Sequence, residues 1–312
     1  MDNVTHNQHY VWRAYLRPWC DCKNEKDGIY SIWWNNKKVC KNTDVFDILR
    51  DKDFYQLYPL NKLELFLLEN MFAKSNQNAV MKANEAIVSM AHHISLAGQI
   101  VHPDNKEFTN LQIQSGETIQ TEIEKMGIEA IERLRERDIS WLNDVDKKTD
   151  FLIFICTQYF RTKSMKDRQL ATLKDQSELT IKYFKKEFND DNDYSLDWNK
   201  IYNYGCICLA HKVSFNLLAK NIKFKLIKSK NVRFIVSDQP VYNAGDDKAN
   251  EFILFYPISP NLALMGSIEY QNNEVVDVDD NEVLNHNNNT LKHAHNFFMG
   301  KERIDVDYRY PY

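Results

Sequence analysis

The chain reads as an α+β protein: an N-terminal hairpin, a central helical bundle, and a C-terminal antiparallel sheet with a closing helix. Three observations predict this. Apolar residues recur mostly at threes and fours from Asn61 onward, the spacing of helices. After Lys220 the period falls to two, with Ile222, Phe224 and Leu226 alternating with Lys223 and Lys225. No strand–helix–strand alternation occurs, so helices and strands segregate rather than interleave.

Each element follows in order. His9, Tyr10, Trp12, Tyr15 and Trp19 are spaced for a short helix that Pro18 ends. Ile29 to Trp34 reads as a strand, Asn35-Asn36 as a turn, and Lys37 to Cys40 as the returning strand. Leu63, Phe66, Leu67, Met71 and Phe72 open a helical pattern that runs towards Ile94. Residues 117–142 form the cleanest amphipathic helix, with Ile119, Ile123, Met126, Ala130, Ile131 and Leu134 as its apolar stripe and Glu and Arg on the other face. Two further helices fit 150–188 and 198–219. Strands follow at 222–226, 232–236, 252–255 and 262–265, and a helix covers 281–299. No internal repeat and no Gly-, Ser- or Pro-rich linker interrupts this order. The expectation is a single composite domain over 1–312, with a hairpin region to 60, a helical region over 61–219, and the sheet and closing helix over 220–312.

Composition narrows the function. The 312 residues are 43% hydrophobic and 12% aromatic, enough for a substantial core. Glycine is scarce, and neither GxGxxG nor GxxxxGK[ST] is present, which argues against a dinucleotide or Walker-type phosphate loop. The net charge of −4 excludes a generally basic nucleic-acid binder, so any such role needs a local patch. The opening MDNVTHNQHY does not read as a signal peptide, and the longest apolar run, Phe151 to Cys156, is too short to span a bilayer. A cytoplasmic protein with no membrane partner is expected. Cys20, Cys22 and Cys40 lack a CxxC pair and are expected to be reduced and metal-free. Cys206 and Cys208 read as core fillers. The pairs His92-His93 and His293/His295 lack the i, i+4 spacing of a catalytic zinc helix.

Three separated segments mix core-type residues with polar ones that a core does not need. They are His9-Tyr10-Val11 with Tyr15-Leu16-Arg17, Gln158 to Thr162, and Ser237 to Val241. His9 suits proton transfer, or satisfies a hydrogen bond in an aromatic cluster. Arg13 and Arg17, four apart, share a helix face and suit an anionic ligand, or pair with Asp21 or Glu25. Gln158 and Arg161 are helix neighbours beyond the apolar run; Arg161 suits phosphate or carboxylate, or bridges to Asp238. Asp238 follows a hydrophobic strand and either faces a cleft or initiates the turn before Pro240. The run Lys220, Lys223, Lys225, Lys228, Lys230, Arg233 reads as a solvated or edge strand, or as a phosphate-binding surface.

HYVWRAYLR, DVFDILRDKDFY, QYFRT, FIVSDQPV with FYPISPNLAL, and EVLNHNNNTLKHAHNFFMG together resemble the signature blocks of the bacterial domain of unknown function 4238 family. The resemblance covers nearly the whole chain. Trp12 departs from it, since the family more often has Pro there. The family carries no assigned activity, but its blocks imply convergence of His9, Arg17, Gln158, Arg161 and Asp238. The expectation is an intracellular bacterial enzyme acting on a phosphate-containing substrate, a hydrolase or nuclease of a defence or toxin type. Arg17 and Arg161, with Gln158, would bind the substrate, His9 would transfer a proton, and Asp238 would orient His9 or hold a divalent cation. A nucleic acid or nucleotide is the expected partner. The alternative is a non-catalytic ligand-binding or interaction module whose polar blocks are structural.

Overall fold

The computed structural model describes residues 4–20, 28–33, 38–43, 45, 48–189, 192–245 and 252–307. In chain order these form β1 (Asn7–His9), α1 (Arg13–Leu16), β2 (Ile29–Trp33), β3 (Lys38–Thr43), β4 (Arg50–Lys52), α2 (Lys62–Leu67), α3 (Asn78–Ile100), α4 (Lys106–Arg135), α5 (Val145–Phe160), α6 (Lys163–Lys174), α7 (Ser177–Phe188) and α8 (Trp198–Ala219). The C-terminal part holds β5 (Lys223–Lys228), β6 (Val236–Ser237), β7 (Tyr242–Asn243), β8 (Ile253–Ser259), β9 (Leu262–Ser267), β10 (Glu274–Asp277), α9 (Asp280–His293), β11 (Phe297–Gly300) and α10 (Arg303–Asp307). The arrangement is α+β, with an N-terminal antiparallel hairpin, a helical core, and a C-terminal sheet with a closing helix.

Local chemistry sets the helix bounds. Asn61 caps α2 in a reciprocal box with Glu64. Asn105 caps α4, which starts eleven residues before the expected 117, because the first three turns are mostly polar and carry little periodic signal. The expected helix over 150–188 is three helices. Thr162 accepts the Met165 N–H and so starts α6 anew, and a second break falls at Asp175-Gln176. The pattern from Leu63 towards Ile94 likewise divides: a π-helical turn over Leu68–Ala73 ends at Lys74, and α3 starts only at Asn78. The segment around His9 is a strand rather than a helix; α1 begins at Arg13, and Pro18 lies within the 3₁₀ turn Arg17–Trp19. The Asn35-Asn36 turn lies outside the described residues.

Strand pairing corrects the expected antiparallel sheet in two places. The five-stranded sheet runs β10-β5-β9-β8-β7, and β10 pairs with β5 in parallel. Val236–Ser237 does not join it; β6 pairs with β11 in a four-stranded sheet, β3-β2-β11-β6, that includes the N-terminal hairpin. The expected helix to 299 stops at His293, and Phe297–Gly300 instead bridges β2 and β6. A continuous apolar cluster runs from Tyr10 through Phe154, Ile207 and Leu226 to Met299, with helix α5 at its centre. Phe151, Leu152, Phe154 and Ile155 are wholly shielded there.

Candidate functional site

The site is assembled on a short ribbon. β1 pairs antiparallel with β4, which sets His9 opposite Arg50, so the two side chains stand close on one face. Leu49 and Asp53, on either side of β4, take left-handed backbone angles, φ 60° and 51°. Such angles cost energy for residues other than Gly. Burial of Leu49 and the bond from the Asp53 N–H to the His6 carbonyl, 2.7 Å, hold them. Tyr55 then locks the ribbon. Its N–H donates to Gln8 Oε1 at 2.7 Å and its hydroxyl to the His9 carbonyl at 2.8 Å. Gly116 of α4 allows this approach, since a Cβ there would stand 1.9 Å from the Tyr55 carbonyl oxygen. On the other side Arg135 of α4 donates to the Ala14 and Tyr15 carbonyls, 3.4 and 3.2 Å, tying α1 to the same helix.

Between ribbon, α1 and α4 lies a cleft of about 580 Å³. One wall carries His9, Arg13, Arg17 and Arg50; the other carries Glu117, Gln120, Thr121 and Glu124. The second set is spaced i, i+3, i+4, i+7, one face of α4. Trp12 and Tyr55 add aromatic surface. The walls thus carry opposite charge.

Arg161 lies beneath the acidic wall, 1% exposed. Its guanidinium donates to Gln120 Oε1 at 3.2 Å and stands 2.8 Å from Glu124 Oε1, an ion pair off the hydrogen-bond direction. It also lies 5.9 Å from the Tyr55 ring centre. Its Nε is buried without a hydrogen-bond partner among the described residues. The acid it meets is Glu124, not Asp238 as one sequence reading had it. Glu117 Oε2 is likewise buried and has no hydrogen-bond partner among the described residues. Burial raises the Glu117 pKa, the Glu124 charge raises it further, and Arg161 opposes both.

Asp238 stands elsewhere. Its carboxylate accepts the N–H groups of His295, Asn296 and Phe297 at 2.8, 2.7 and 3.2 Å, and its own N–H donates to the Phe297 carbonyl. It therefore staples the α9–β11 connection to the end of β6. Burial raises its pKa, and those N–H bonds hold it down. It does not line the α4 cleft. Beside it, Thr162 donates to Gln239 Oε1, and Gln239 Nε2 donates to the Tyr159 carbonyl at 3.1 Å and the Val241 carbonyl at 2.6 Å. Gln239 and Tyr159 border a second cleft of about 340 Å³ with Arg168, Lys292, His293 and His295.

The family model for a protein of unknown function, DUF4238, matches residues 7–303. The chain belongs to this family. Comparisons with curated proteins and with solved structures find no match.

The blocks that carry the DUF4238 resemblance do meet in space, but at two places. Tyr55 links the first to the second, through the His9 carbonyl and the Arg161 guanidinium. Gln239 links the second to the third. His9 and Arg17 share the α4 cleft, Arg161 underlies it, and Asp238 is separate. Gln158 is buried on α5 with its Nε2 unpartnered among the described residues, and lines neither cleft. Glu117, Gln120 and Glu124 were missed in the sequence; their signal was the helical spacing beside Ile113, Ile123 and Gly127 on the buried face of α4.

The lysine strand is not an edge. β5 lies between β10 and β9, with Lys225 paired to Glu274 at 2.9 Å and Lys228 to Asp277 at 2.7 Å. Parallel pairing brings these acids alongside, a contact that local sequence does not reveal. Cys206 and Cys208 are buried, and burial pushes both thiols up to about 12. Cys20 is buried with its Sγ 3.5 Å from the Leu16 carbonyl; Cys22 and the Cys40 side chain lie outside the described residues. Among the described residues no group of three His, Cys, Asp or Glu side chains is arranged to hold a metal ion, and no helix is long and apolar enough to cross a membrane.

Proposed function

We propose that the α4 cleft binds a phosphate ester and that His9 transfers a proton during its conversion, making the protein an enzyme acting on a phosphate-containing substrate. The observation that carries this is the wall of His9, Arg13, Arg17 and Arg50 facing one cleft. Guanidinium groups recognise phosphate oxygens in pairs, and an imidazole beside them suits acid–base work on the ester. Arg161, shut off from solvent, serves as a positioning residue through Glu124 and Gln120. A nuclease of the defence or toxin type is the narrower form of this reading. The free thiols Cys156, Cys206 and Cys208 go with a reducing cytoplasm.

Titration calorimetry with ribose 5-phosphate, beside release of the leaving-group phenol from an activated phosphodiester, tests it. The parent should bind. Arg17→Ala should bind about tenfold more weakly or worse, the loss of one charge-assisted contact. His9→Gln should keep binding and lose turnover. No binding by the parent, or equal binding by Arg17→Ala, would overturn the reading. Binding without turnover in any form would favour a non-catalytic ligand-binding module. The observation on that side is the number of signature residues already bonded inside the fold, among them Thr162, Asp238 and Gln239.

A further inference from the structure

We infer that the ligand of the α4 cleft is a nucleoside monophosphate whose base carries an amino group, with its phosphate on the arginine wall and the amino group on the carboxylates of α4. The inference rests on the phosphate reading above and extends it to the rest of the ligand. A bare phosphate would engage only His9, Arg13, Arg17 and Arg50, and would face Glu117 and Glu124 across the gap. Like charges repel there, so the cleft favours a molecule that is anionic at one end and rich in N–H donors at the other.

The acidic wall is short of donors. Glu117 Oε2 is buried with no hydrogen-bond partner among the described residues. A carboxylate in that state is short of donors, and Glu117 lines the cleft, where a ligand N–H supplies one. The upward pKa shift of Glu117 fits a carboxyl in want of a donor. Gln120 cannot serve as one towards Glu117 without constraint, because its Oε1 is committed to Arg161, which fixes the direction of its amide. Carboxylates accept from base amino groups such as cytosine N4 in nucleic-acid recognition. Trp12, partly exposed at the cleft, supplies aromatic surface on which a base stacks. The cleft volume of about 580 Å³ lies in the range of small-molecule sites.

Calorimetry on the full chain with matched pairs decides it. CMP and UMP differ at C4, amino against carbonyl; AMP and IMP differ in the same way at C6. The amino member should bind about tenfold tighter in each pair, the discrimination a good polar base contact supplies. Glu117→Gln should abolish that preference and keep ribose 5-phosphate binding. Equal affinity for CMP, UMP and ribose 5-phosphate would overturn the inference and leave the phosphate reading standing. Phosphoethanolamine binding as tightly as CMP would overturn it too, by showing that any cationic tail suffices. A preference for CMP that persists in Glu117→Gln would remove Glu117 from the contact and contradict it. Cytidine binding as tightly as CMP, unaffected by Arg17→Ala, would contradict the phosphate reading instead.

Discussion

The Asp238 junction and the α4 cleft are built from the same kinds of residue, yet they differ in how far their polar atoms are answered. At the junction, each Asp238 carboxylate oxygen accepts backbone N–H, and both ends of the Gln239 amide are bonded. At the cleft, Glu117 Oε2 and, beneath it, Arg161 Nε are buried without hydrogen-bond partners among the described residues, and the two walls carry opposite charge. A fully satisfied polar network specifies a fold; a partly satisfied one beside a cavity is suited to a ligand. Burial of a polar residue, taken alone, does not separate the two.

The largest effect should come from breaking the junction. Asp238→Ala leaves the N–H groups of residues 295–297 without their acceptor and should cost roughly 3–5 kcal/mol, given 1–3 kcal/mol for each buried donor left unmet and incomplete additivity. Urea denaturation measures it. A near-parental midpoint combined with lost ligand binding would move Asp238 back into the site.

Next comes Arg161→Ala, which removes the buried cation beneath Glu124 and Gln120. Removing one partner of a buried pair typically costs roughly 3–5 kcal/mol, and partial exposure of Glu124 reduces this to about 2–3 kcal/mol. Glu124→Gln in the same chain should recover part of the loss, since the orphaned charge is gone. Equal denaturation midpoints for Arg161→Ala with and without that second change would show that the pair carries no coupling.

The smallest effect is a pH dependence at Glu117. Its pKa in the fold lies above the unperturbed value of 4.5, so the folded chain holds this proton more tightly than the unfolded one. The associated stabilisation is complete below about 4.5 and is lost as pH rises through the raised value. Glu117→Gln carries no such loss. Its stability relative to the parent should therefore climb across that window and level off above it. Denaturation midpoints of both proteins from pH 4 to 8 check this; a constant difference would mean that Glu117 titrates normally in the fold.

The same contrast explains what the sequence revealed. Helix α8 was legible almost to the residue, because Asp197 caps it and apolar residues recur along its whole length. The divisions at Thr162 and at Asp175 were hidden, since neither carries Gly or Pro and the apolar spacing continues across them. His9 and Arg17 stood out because polar residues interrupt an aromatic run. Glu117 and Glu124 did not, because acids on a long amphipathic helix ordinarily face water. The role of Asp238 was out of reach: its partners are backbone N–H groups, which leave no mark on side-chain identity.

The division between cleft and junction is tested most directly by placing the phosphate. Calorimetric titration of ribose 5-phosphate into Arg17→Ala and Arg168→Ala compares the two clefts, since Arg17 lines the larger and Arg168 the smaller. Affinity should fall by about tenfold or more in Arg17→Ala and stay at the parental value in Arg168→Ala. Loss of binding in Arg168→Ala with parental affinity in Arg17→Ala would contradict it, moving the ligand to the cleft beside Gln239 and His295.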